Sequence, residues 1–356
     1  MTTSERLTWQ AITLELRHPF QVSYGVSLTR TAHWLCLQDE EGWGEGTIPP
    51  YYGVDEAQMQ AFWREAAQRK DPFPDAVEGV AGWVGGEGPA PARCALDLAL
   101  HDRIGRQRGQ PLYALLGLPE PPALPTAVTI GIDTPQEIAR QAQALADYPI
   151  LKLKLGGEDE DGYGDDARLA AVREARPDAR IYVDANAGWT PEEAVVRLER
   201  LMRFDLELVE QPAPRDDFAG LGKVQAALDV PVVADESVQT LQDVRRLADA
   251  GVQAINIKLM KVGGLAPALE IVRLAQEAGM QIMLGCMIET SLGVTAVAHL
   301  AGVAQWLDLD APLLVANDPF EGILYDEQGR IQHPRRLGIG VRWKTATKGC
   351  QDGRRK

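Results

Sequence analysis

Four apolar runs of strand length in the middle of the chain each end on a charged residue. Asp184 ends RIYVD, Glu210 ends LELVE, Asp235 follows PVVA and Lys258 follows AINI. Successive charged residues are about 25 positions apart, which is the length of one strand, one helix and two short loops. Since the active site of an α/β barrel lies at the carboxyl ends of its parallel strands, we expect these side chains to meet.

The three carboxylates predict a metal site. Neighbouring strands lie about 4.8 Å apart, so Asp184, Glu210 and Asp235 would repel one another unless a cation lay among them. Oxygen ligands without His or Cys favour Mg²⁺. A single acidic residue at a strand end more often caps a helix or pairs with a lysine, but three consecutive ones favour the metal.

Three lysines are placed to flank that site. Lys152 and Lys154 lie in ILKLKLG, where a spacing of two puts both side chains on one face of a strand. That face is the barrel interior if the leucines point to the helices. Two adjacent ammonium groups lower each other's pKa, which would give a neutral amine able to act as a base. Lys258 ends the sixth predicted strand, opposite the second.

Lysines on both sides of a metal suit removal of a proton next to a carboxylate. The metal would stabilise an enediolate intermediate while one lysine takes the proton. The residues leave open whether the second lysine returns the proton or only stays as an acid. Salt bridges between these lysines and the carboxylates are the structural alternative, and they do not exclude catalysis.

The elements that must position these residues read as an α/β fold. Residues 123–319 hold eight strand patterns and seven helical patterns, with no closing helix of normal length, and predict a modified (β/α)7β TIM-type barrel that is the catalytic domain. Residues 1–122 lack this period and predict an α+β capping domain, which residues from about 320 to 356 would complete. Capping boxes are predicted where Thr134 precedes Glu137 and where Thr190 precedes Glu193.

Charge and composition exclude several classes of function. The chain has 356 residues and a net charge of −15, so it has no basic surface for nucleic acid or for an anionic membrane. Its four scattered cysteines are typical of free thiols in a reducing cytoplasm. Neither a transmembrane run nor a signal sequence is apparent, so we expect a cytoplasmic protein.

The motifs KLKLGG, VDANAGW, VEQP, ADES and NIKLMKVGG resemble the enolase superfamily in its muconate-lactonizing-enzyme subgroup. The resemblance covers nearly the whole chain and implies a capping domain built from both termini around a modified barrel. It implies that Asp184, Glu210 and Asp235 hold Mg²⁺ and that Lys154 and Lys258 are the acid/base pair.

Further roles follow from the same resemblance. Lys152 would neutralise the substrate carboxylate, and Asn186 and Glu236 would lie next to the metal ligands. The seventh strand carries no His, so the Lys/His pair of mandelate racemases is absent. Members of the family are often dimers or octamers, which implies a homo-oligomer.

Asp308 and Asp310 distinguish between the activities found in this subgroup. They lie on one face at the end of WLDLDAPLL, similar to the DxD that binds the α-ammonium group in dipeptide epimerases. The resemblance therefore implies a Mg²⁺-dependent dipeptide epimerase, with 1,1-proton transfer at the α-carbon of the C-terminal residue of an L,L-dipeptide through an enediolate. The alternatives are an N-acylamino-acid racemase, an o-succinylbenzoate synthase, or a catalytically silent barrel whose acids and lysines only pair with one another.

Residues around the mouth of the barrel would determine which substrate side chain is accepted. We expect Glu289 and Thr290, after the seventh strand, to line it. Tyr52, with Tyr24 and Tyr51, could form a wall for a side chain, in the capping-domain loops at residues 21–30 and 47–55.

The first of these loops differs from that of epimerases for Ala-Glu, which carry a basic residue there. By rough alignment this chain has Gly25 at that position, with Arg30 further on. The difference favours a hydrophobic or basic second residue in the substrate, with Asp55 or Glu56 as the partner of a basic one.

Overall fold

The computed structural model describes residues 2–3, 6–22, 25–38, 41–49, 52–156 and 163–344. The first part of the chain forms an antiparallel sheet of four strands in sequence order, covered by helices. The strands are β1 (Thr2–Thr3), β2 (Leu7–Val22), β3 (Gly25–Leu37) and β4 (Trp43–Thr47). The helices are α1 (Glu56–Gln68), α2 (Val80–Val84), α3 (Ala90–Arg108) and α4 (Leu112–Leu115).

Strand β4 crosses helix α3 at close range. A Cβ atom on Gly44 would lie only 1.8 Å from the Ala95 carbonyl oxygen, so a glycine is needed at the crossing. The carboxylate of Asp102, on α3, accepts the backbone N–H of Trp43 at 3.0 Å and that of Ile339 at 2.8 Å. Helix α3 is thereby tied to both β4 and the C-terminal segment.

The barrel consists of eight parallel strands that neighbour one another in chain order. They are β5 (Val128–Ile130), β6 (Ile150–Lys154), β7 (Arg180–Asp184), β8 (Leu206–Glu210), β9 (Val232–Ala234), β10 (Ala254–Ile257), β11 (Gln281–Gly285) and β12 (Trp306–Asp308). The backbone N–H of Ala127 donates to the Leu307 carbonyl at 2.8 Å and joins the first strand region to the last. The predicted α/β barrel is confirmed.

Helices surround the barrel between its strands and after the last one. They are α5 (Pro135–Ala144), α6 (Asp165–Ala175), α7 (Pro191–Leu201), α8 (Phe218–Ala226), α9 (Leu241–Asp249), α10 (Leu259–Val262), α11 (Leu265–Glu277), α12 (Ser291–Ala298) and α13 (Ala311–Leu314). Within the described residues, the four-residue α13 is the only α-helix after β12, in agreement with the predicted lack of a full closing helix.

The N-terminal caps of these helices correct one prediction. Thr190 and Glu193 form the complete capping box expected at α7. At α5, Thr134 accepts the backbone N–H of Glu137, but the Glu137 carboxylate binds Arg140 instead of returning to the cap. The arginine one turn along competes for the carboxylate, so only half of that box forms.

Alternation along β6 places its lysines inside the barrel. Leu151 and Leu153 point outward into the core shared with the helices. Ile150 points inward, into an apolar layer with residues from the other seven strand regions, such as Tyr182 and Met283. Lys152 lies above that layer on the same inward face.

The C-terminal segment packs against the first sheet. That residues from about 320 to 356 complete the capping domain stays a prediction. The segment forms β13 (Phe320–Glu321), β14 (Leu324–Tyr325), β15 (Ile331–Gln332) and β16 (Arg342–Trp343). The Trp343 ring packs edge-on against Trp34 of β3, at 5.7 Å between centroids. One core runs through both parts of the chain, so a domain boundary near residue 122 stays a prediction. Among the described residues, no helix has the length and apolar character to cross a membrane.

Candidate active site

The three predicted metal ligands converge at the carboxyl ends of their strands. Asp184 ends β7, Glu210 ends β8 and Asp235 follows β9 directly, and all three are fully buried. Each offers one carboxylate oxygen, and these oxygens lie within 4.8 Å of one another. The backbone N–H of Asp235 is held by the side-chain oxygen of Gln211 at 2.8 Å.

The electrostatics of this cluster suit a divalent cation. Burial, with the charges of Asp184 and Asp235, raises the pKa of Glu210 to about 8 although Lys152 opposes the shift. Loss of water and the two neighbouring negative charges thus both disfavour the ionised form of Glu210. The hard oxygen atoms of the three carboxylates fit Mg²⁺, whose charge would relieve the same repulsion.

Lysines flank the carboxylates from two sides. The Lys154 ammonium lies 2.6 Å from Asp184 Oδ2, and the Lys258 ammonium lies 2.8 Å from Asp235 Oδ2. Strands β6 and β10, which carry or precede these lysines, are separated by three other strands in the barrel. A substrate between them would meet one lysine on each side.

The surroundings of Lys152 correct the expected pKa. Its ammonium lies 2.6 Å from Glu210, 2.7 Å from Asp308 and 3.1 Å from Asp184. Burial alone would lower the pKa of Lys152, but these carboxylates, Asp308 foremost, raise it well above its ordinary value. Lys152 therefore stays protonated, and the lowered pKa expected for it from its neighbour Lys154 is not found.

Asp308 and Asp310 lie in the same pocket as the three lysines. Asp308 Oδ2 binds Lys152, whereas its buried Oδ1 accepts no hydrogen bond from the described residues. Asp310 Oδ2 accepts the backbone N–H of Thr129 at 2.7 Å. Asp308 thus presents an unused acceptor, and Asp310 is engaged by the first barrel strand.

Asn186 and Glu236 lie beside the metal ligands, where the resemblance puts them. The Asn186 amide donates to Asp184 Oδ2 at 3.3 Å and to Glu236 Oε1 at 3.2 Å. Asn186 has a φ of 44°, a left-handed conformation that costs energy in residues other than glycine. Burial, followed by the charges of Asp235 and Asp184, raises the pKa of Glu236 to about 7.

Apolar side chains form part of the pocket wall. Phe20 and Val22 contribute to it from the capping sheet, and Ile288 and Leu314 from the barrel. Arg30 of β3 also lines it, and one guanidinium nitrogen donates to a neighbouring serine hydroxyl at 2.8 Å. The capping sheet therefore brings a cation to the pocket.

Other predicted mouth residues are placed elsewhere. Tyr52 lines a neighbouring cavity with Gln239 and Met260, rather than the pocket of the lysines as the structure describes it. Tyr24 and Tyr51 lie outside the described residues.

Neither acidic candidate for a basic substrate lines the pocket. Asp55 accepts the Ala57 N–H as the cap of α1, and Glu56 accepts a hydrogen bond from His33 and from Gln60. Within the described residues the pocket lining contains neither of them. Local helix contacts thus occupy both side chains.

Glu289 and Thr290 turn away from the mouth towards the capping sheet. Glu45, on β4, accepts the Thr290 N–H at 2.9 Å, which seals the loop against the sheet. Glu289 Oε1 accepts the Met287 N–H at 2.7 Å. Burial and then the charge of Glu45 raise the pKa of Glu289 to about 8, from an ordinary 4.5, although Lys258 opposes the shift.

Replacing Glu289 with glutamine should stabilise the protein at alkaline pH. Because the folded pKa lies above the unfolded one, the free energy of unfolding falls as pH rises from about 4.5 to about 8. Glutamine avoids this loss, so Glu289→Gln should gain roughly 1–3 kcal/mol at the upper end.

Urea unfolding of both proteins at the two ends of that window measures the effect. The gain should nearly vanish at the acidic end, where glutamate is protonated in the folded state and only half ionised in the unfolded state. An equal gain at both ends would contradict a buried ionisable acid.

Two further polar residues at the site escaped prediction. The Asn256 amide donates to Glu210 Oε1 at 3.0 Å, and the Lys261 ammonium binds Asp235. Asn256 precedes Lys258 by two positions, so the alternation used for β6 would have placed it inside the barrel. No comparable pattern points to Lys261.

The fold and the site define a class of protein. A carboxylate triad and opposed lysines lie at the mouth of a barrel under an antiparallel cap, and residues 137–347 match the family described as enolase C-terminal domain-like. The chain belongs to the enolase superfamily.

Curated relatives narrow the likeness to dipeptide epimerases. The chain is 34% identical over 344 residues to an L-Ala-D/L-Glu epimerase of Bacteroides thetaiotaomicron, covering 94% of this chain and 87% of that protein. It is 34% identical over 350 residues to a hydrophobic dipeptide epimerase of Enterococcus faecalis, covering 93% and 97%.

Solved structures show the same likeness to dipeptide epimerases and to a related racemase. The dipeptide epimerase of Enterococcus faecalis in complex with Mg and L-Leu-L-Tyr has a TM-score of 0.87 and 31% identity, over 95% of this chain and 99% of that one. An N-succinyl Arg/Lys racemase of Bacillus cereus has the same TM-score at 26% identity, over 96% of each chain.

Proposed function

We propose that this protein is a Mg²⁺-dependent dipeptide epimerase, an isomerase that inverts the α-carbon of the C-terminal residue of an L,L-dipeptide. The observation that carries the proposal is one pocket that holds the opposed Lys154 and Lys258 together with the unused, buried Oδ1 of Asp308. The lysines suit proton exchange at two faces, and the carboxylate suits a substrate ammonium group.

The carboxylate triad prepares the substrate. Asp184, Glu210 and Asp235 would hold Mg²⁺, which when bound withdraws charge from the substrate carboxylate and makes the adjacent C–H more acidic. Lys152 would add a fixed positive charge beside that carboxylate, as its three acidic contacts keep it protonated.

The opposed lysines would transfer the proton. One lysine, as the neutral amine, takes the α-proton from its face of the substrate. The other, as the ammonium, donates a proton from the opposite face, so the configuration inverts and no atom is gained or lost. Lys154 and Lys258 are each held within 3 Å of a triad carboxylate, which keeps both beside the proposed metal site.

We further propose that the second residue of the substrate is acidic with an apolar stem. Its side chain would lie against Phe20, Val22 and Ile288, with Arg30 as the partner of its carboxylate. This reverses the sequence-based preference for a hydrophobic or basic residue, because Asp55 and Glu56 are absent from the described lining and Arg30 is part of it.

Arg30→Met tests this preference. It should lower kcat/KM for L-Ala-L-Glu by about 10–100-fold, because the substrate carboxylate would lose its ionic partner. Steady-state rates with L-Ala-L-Gln provide the matched control and should change by less than about threefold. Equal losses of kcat/KM on both substrates would show that Arg30 supports the structure of the pocket but does not recognise the charge of the substrate side chain.

An N-acylamino-acid racemase is the second candidate, favoured by the likeness to the N-succinyl Arg/Lys racemase. It would use the same lysines and metal ligands but would have no ammonium group for Asp308. A silent barrel would also show the observed pairing of Lys154 with Asp184, but it would turn nothing over.

Proton NMR of dipeptide pools in D₂O with Mg²⁺, and again with EDTA, distinguishes these functions. The proposal predicts loss of the C-terminal α-proton signal and growth of diastereomer signals, both stopped by EDTA. Turnover of N-acylamino acids alone, or of the o-succinylbenzoate precursor alone, would instead assign the racemase or the synthase activity of the same subgroup. Silence with every substrate would leave a binding or structural role.

We also propose a cytoplasmic homo-oligomer that binds no nucleic acid. The net charge of −15 disfavours nucleic acid, and no helix among the described residues could span a membrane. The homo-oligomer rests on the family resemblance alone. Light scattering after size-exclusion chromatography tests the assembly, and a monomeric mass would contradict it.

A further inference from the structure

Lys261 is a buried lysine that the proposed chemistry does not use. It lies in α10, three residues after Lys258, and only 5% of its surface is exposed. Its ammonium donates to Asp235 Oδ1 at 2.5 Å, to the Asp235 carbonyl and to the Asn256 carbonyl at 3.0 Å. Three acceptors match the three hydrogen atoms of the group.

These contacts tie together two strands where their ladder ends. The register between β9 and β10 pairs Ala254 with Val233 and Ile255 with Ala234, and goes no further. The carbonyls of Asp235 and Asn256 follow directly after the last pair. Lys261 therefore bridges the two strand ends beyond the backbone hydrogen bonds.

The Asp235 carboxylate lies between two lysines. Oδ1 accepts from Lys261 and Oδ2 accepts from Lys258 at 2.8 Å. Rotation of the carboxylate about its Cβ–Cγ bond would break both contacts. The orientation of Asp235 and the position of the Lys258 ammonium are thus coupled through Lys261.

We propose that Lys261 is a positioning residue, which fixes the Asp235 carboxylate for the metal and holds Lys258 at its face of the substrate. The metal part stands on the geometry of the triad, and the Lys258 part rests on the proposed epimerase function. Lys261 lies outside the lining of the lysine pocket within the described residues, so it acts through Asp235 rather than on the substrate.

The chemistry of the buried group supports this role over simple filling of space. An ammonium group away from water is unfavourable unless all its hydrogens are bonded, and an apolar side chain of similar length often serves stability equally well. A charge fully saturated by Asp235 and two strand carbonyls indicates that orientation is what the lysine provides.

Titration calorimetry with Mg²⁺ alone tests the metal part. Lys261→Met should weaken Mg²⁺ binding by about 10–100-fold, the usual loss when a partner of a metal ligand is removed. Lys261→Gln is the second variant, since it keeps hydrogen-bond donors without the charge and should lose less. Lys223→Met is the control, because Lys223 pairs with Glu192 at the surface of α8. Affinities within threefold of wild type in both Lys261 variants would overturn the proposal.

Isotope exchange tests the Lys258 part. In D₂O, Lys261→Met should slow α-proton exchange of the diastereomer that Lys258→Ala no longer exchanges, by about tenfold or more. Exchange of the other diastereomer should fall only as far as weaker metal binding requires, at saturating Mg²⁺ by less than threefold. Equal losses for both diastereomers would overturn the coupling to Lys258. If wild type exchanges no dipeptide, the proposed function fails and the Mg²⁺ titration alone decides on Lys261.

Discussion

Replacement of either Lys154 or Lys258 with alanine should lower epimerisation by about 10³-fold or more while exchange at one face survives. Each lysine would reach the substrate from its own side, so inversion would need both but abstraction only one. Lys154→Ala should still exchange the α-proton of one diastereomer with solvent, and Lys258→Ala that of the other.

Proton NMR of both diastereomers in D₂O separates these events, because exchange removes the α-proton signal without creating a new isomer. Lys154→Arg is the matched variant, since a guanidinium still pairs with Asp184 but does not release a proton near neutral pH. It should be as inactive as the alanine variant. Full turnover in both alanine variants would rule out a two-base reaction.

The barrel and its charged strand ends were predictable because they depend on short-range patterns. The strand-plus-helix period brings Asp184, Glu210 and Asp235 to one rim whatever the loops do. Alternation in β6 then points Lys152 and Lys154 into the barrel. Such features need only the sequence within one or two elements.

The state of Lys152 was not predictable from its own strand. Its partner Lys154 is visible in the sequence and suggests a lowered pKa. The three carboxylates that raise it, from Asp184, Glu210 and Asp308, come from strands up to 156 positions away. Only the closed barrel shows that they outweigh the neighbour.

The wall of the pocket escaped prediction for the same reason. Arg30 lines this pocket because the long β2–β3 hairpin of the cap extends over the barrel. Tyr52, in the loop after β4, lines the neighbouring cavity instead. Glu289 has an acidic partner in Glu45, on a strand more than 240 positions earlier. Contacts between cap and barrel leave no periodic trace in the sequence.

Substitution of Asp308 with asparagine should lower kcat/KM for dipeptides by about 10²–10³-fold, mainly through KM. Asp308 lines the pocket, and its buried Oδ1 accepts no hydrogen bond from the described residues, which fits a substrate ammonium group. Asparagine keeps the shape but removes the charge. Mg²⁺ affinity, measured by calorimetry, should change far less, since Asp308 is not one of the triad.

Loss of the contact between Asp308 and Lys152 at 2.7 Å could produce a similar fall in activity, so the substrate must separate the two effects. A dipeptide with its amino group acetylated has no ammonium but presents the same carboxylate to Lys152. If Asp308 binds the ammonium, wild type should prefer the free dipeptide strongly and Asp308→Asn should erase that preference. A preference that survives the substitution would assign Asp308 to Lys152 alone. A wild type that prefers the acetylated dipeptide would favour the N-acylamino-acid racemase.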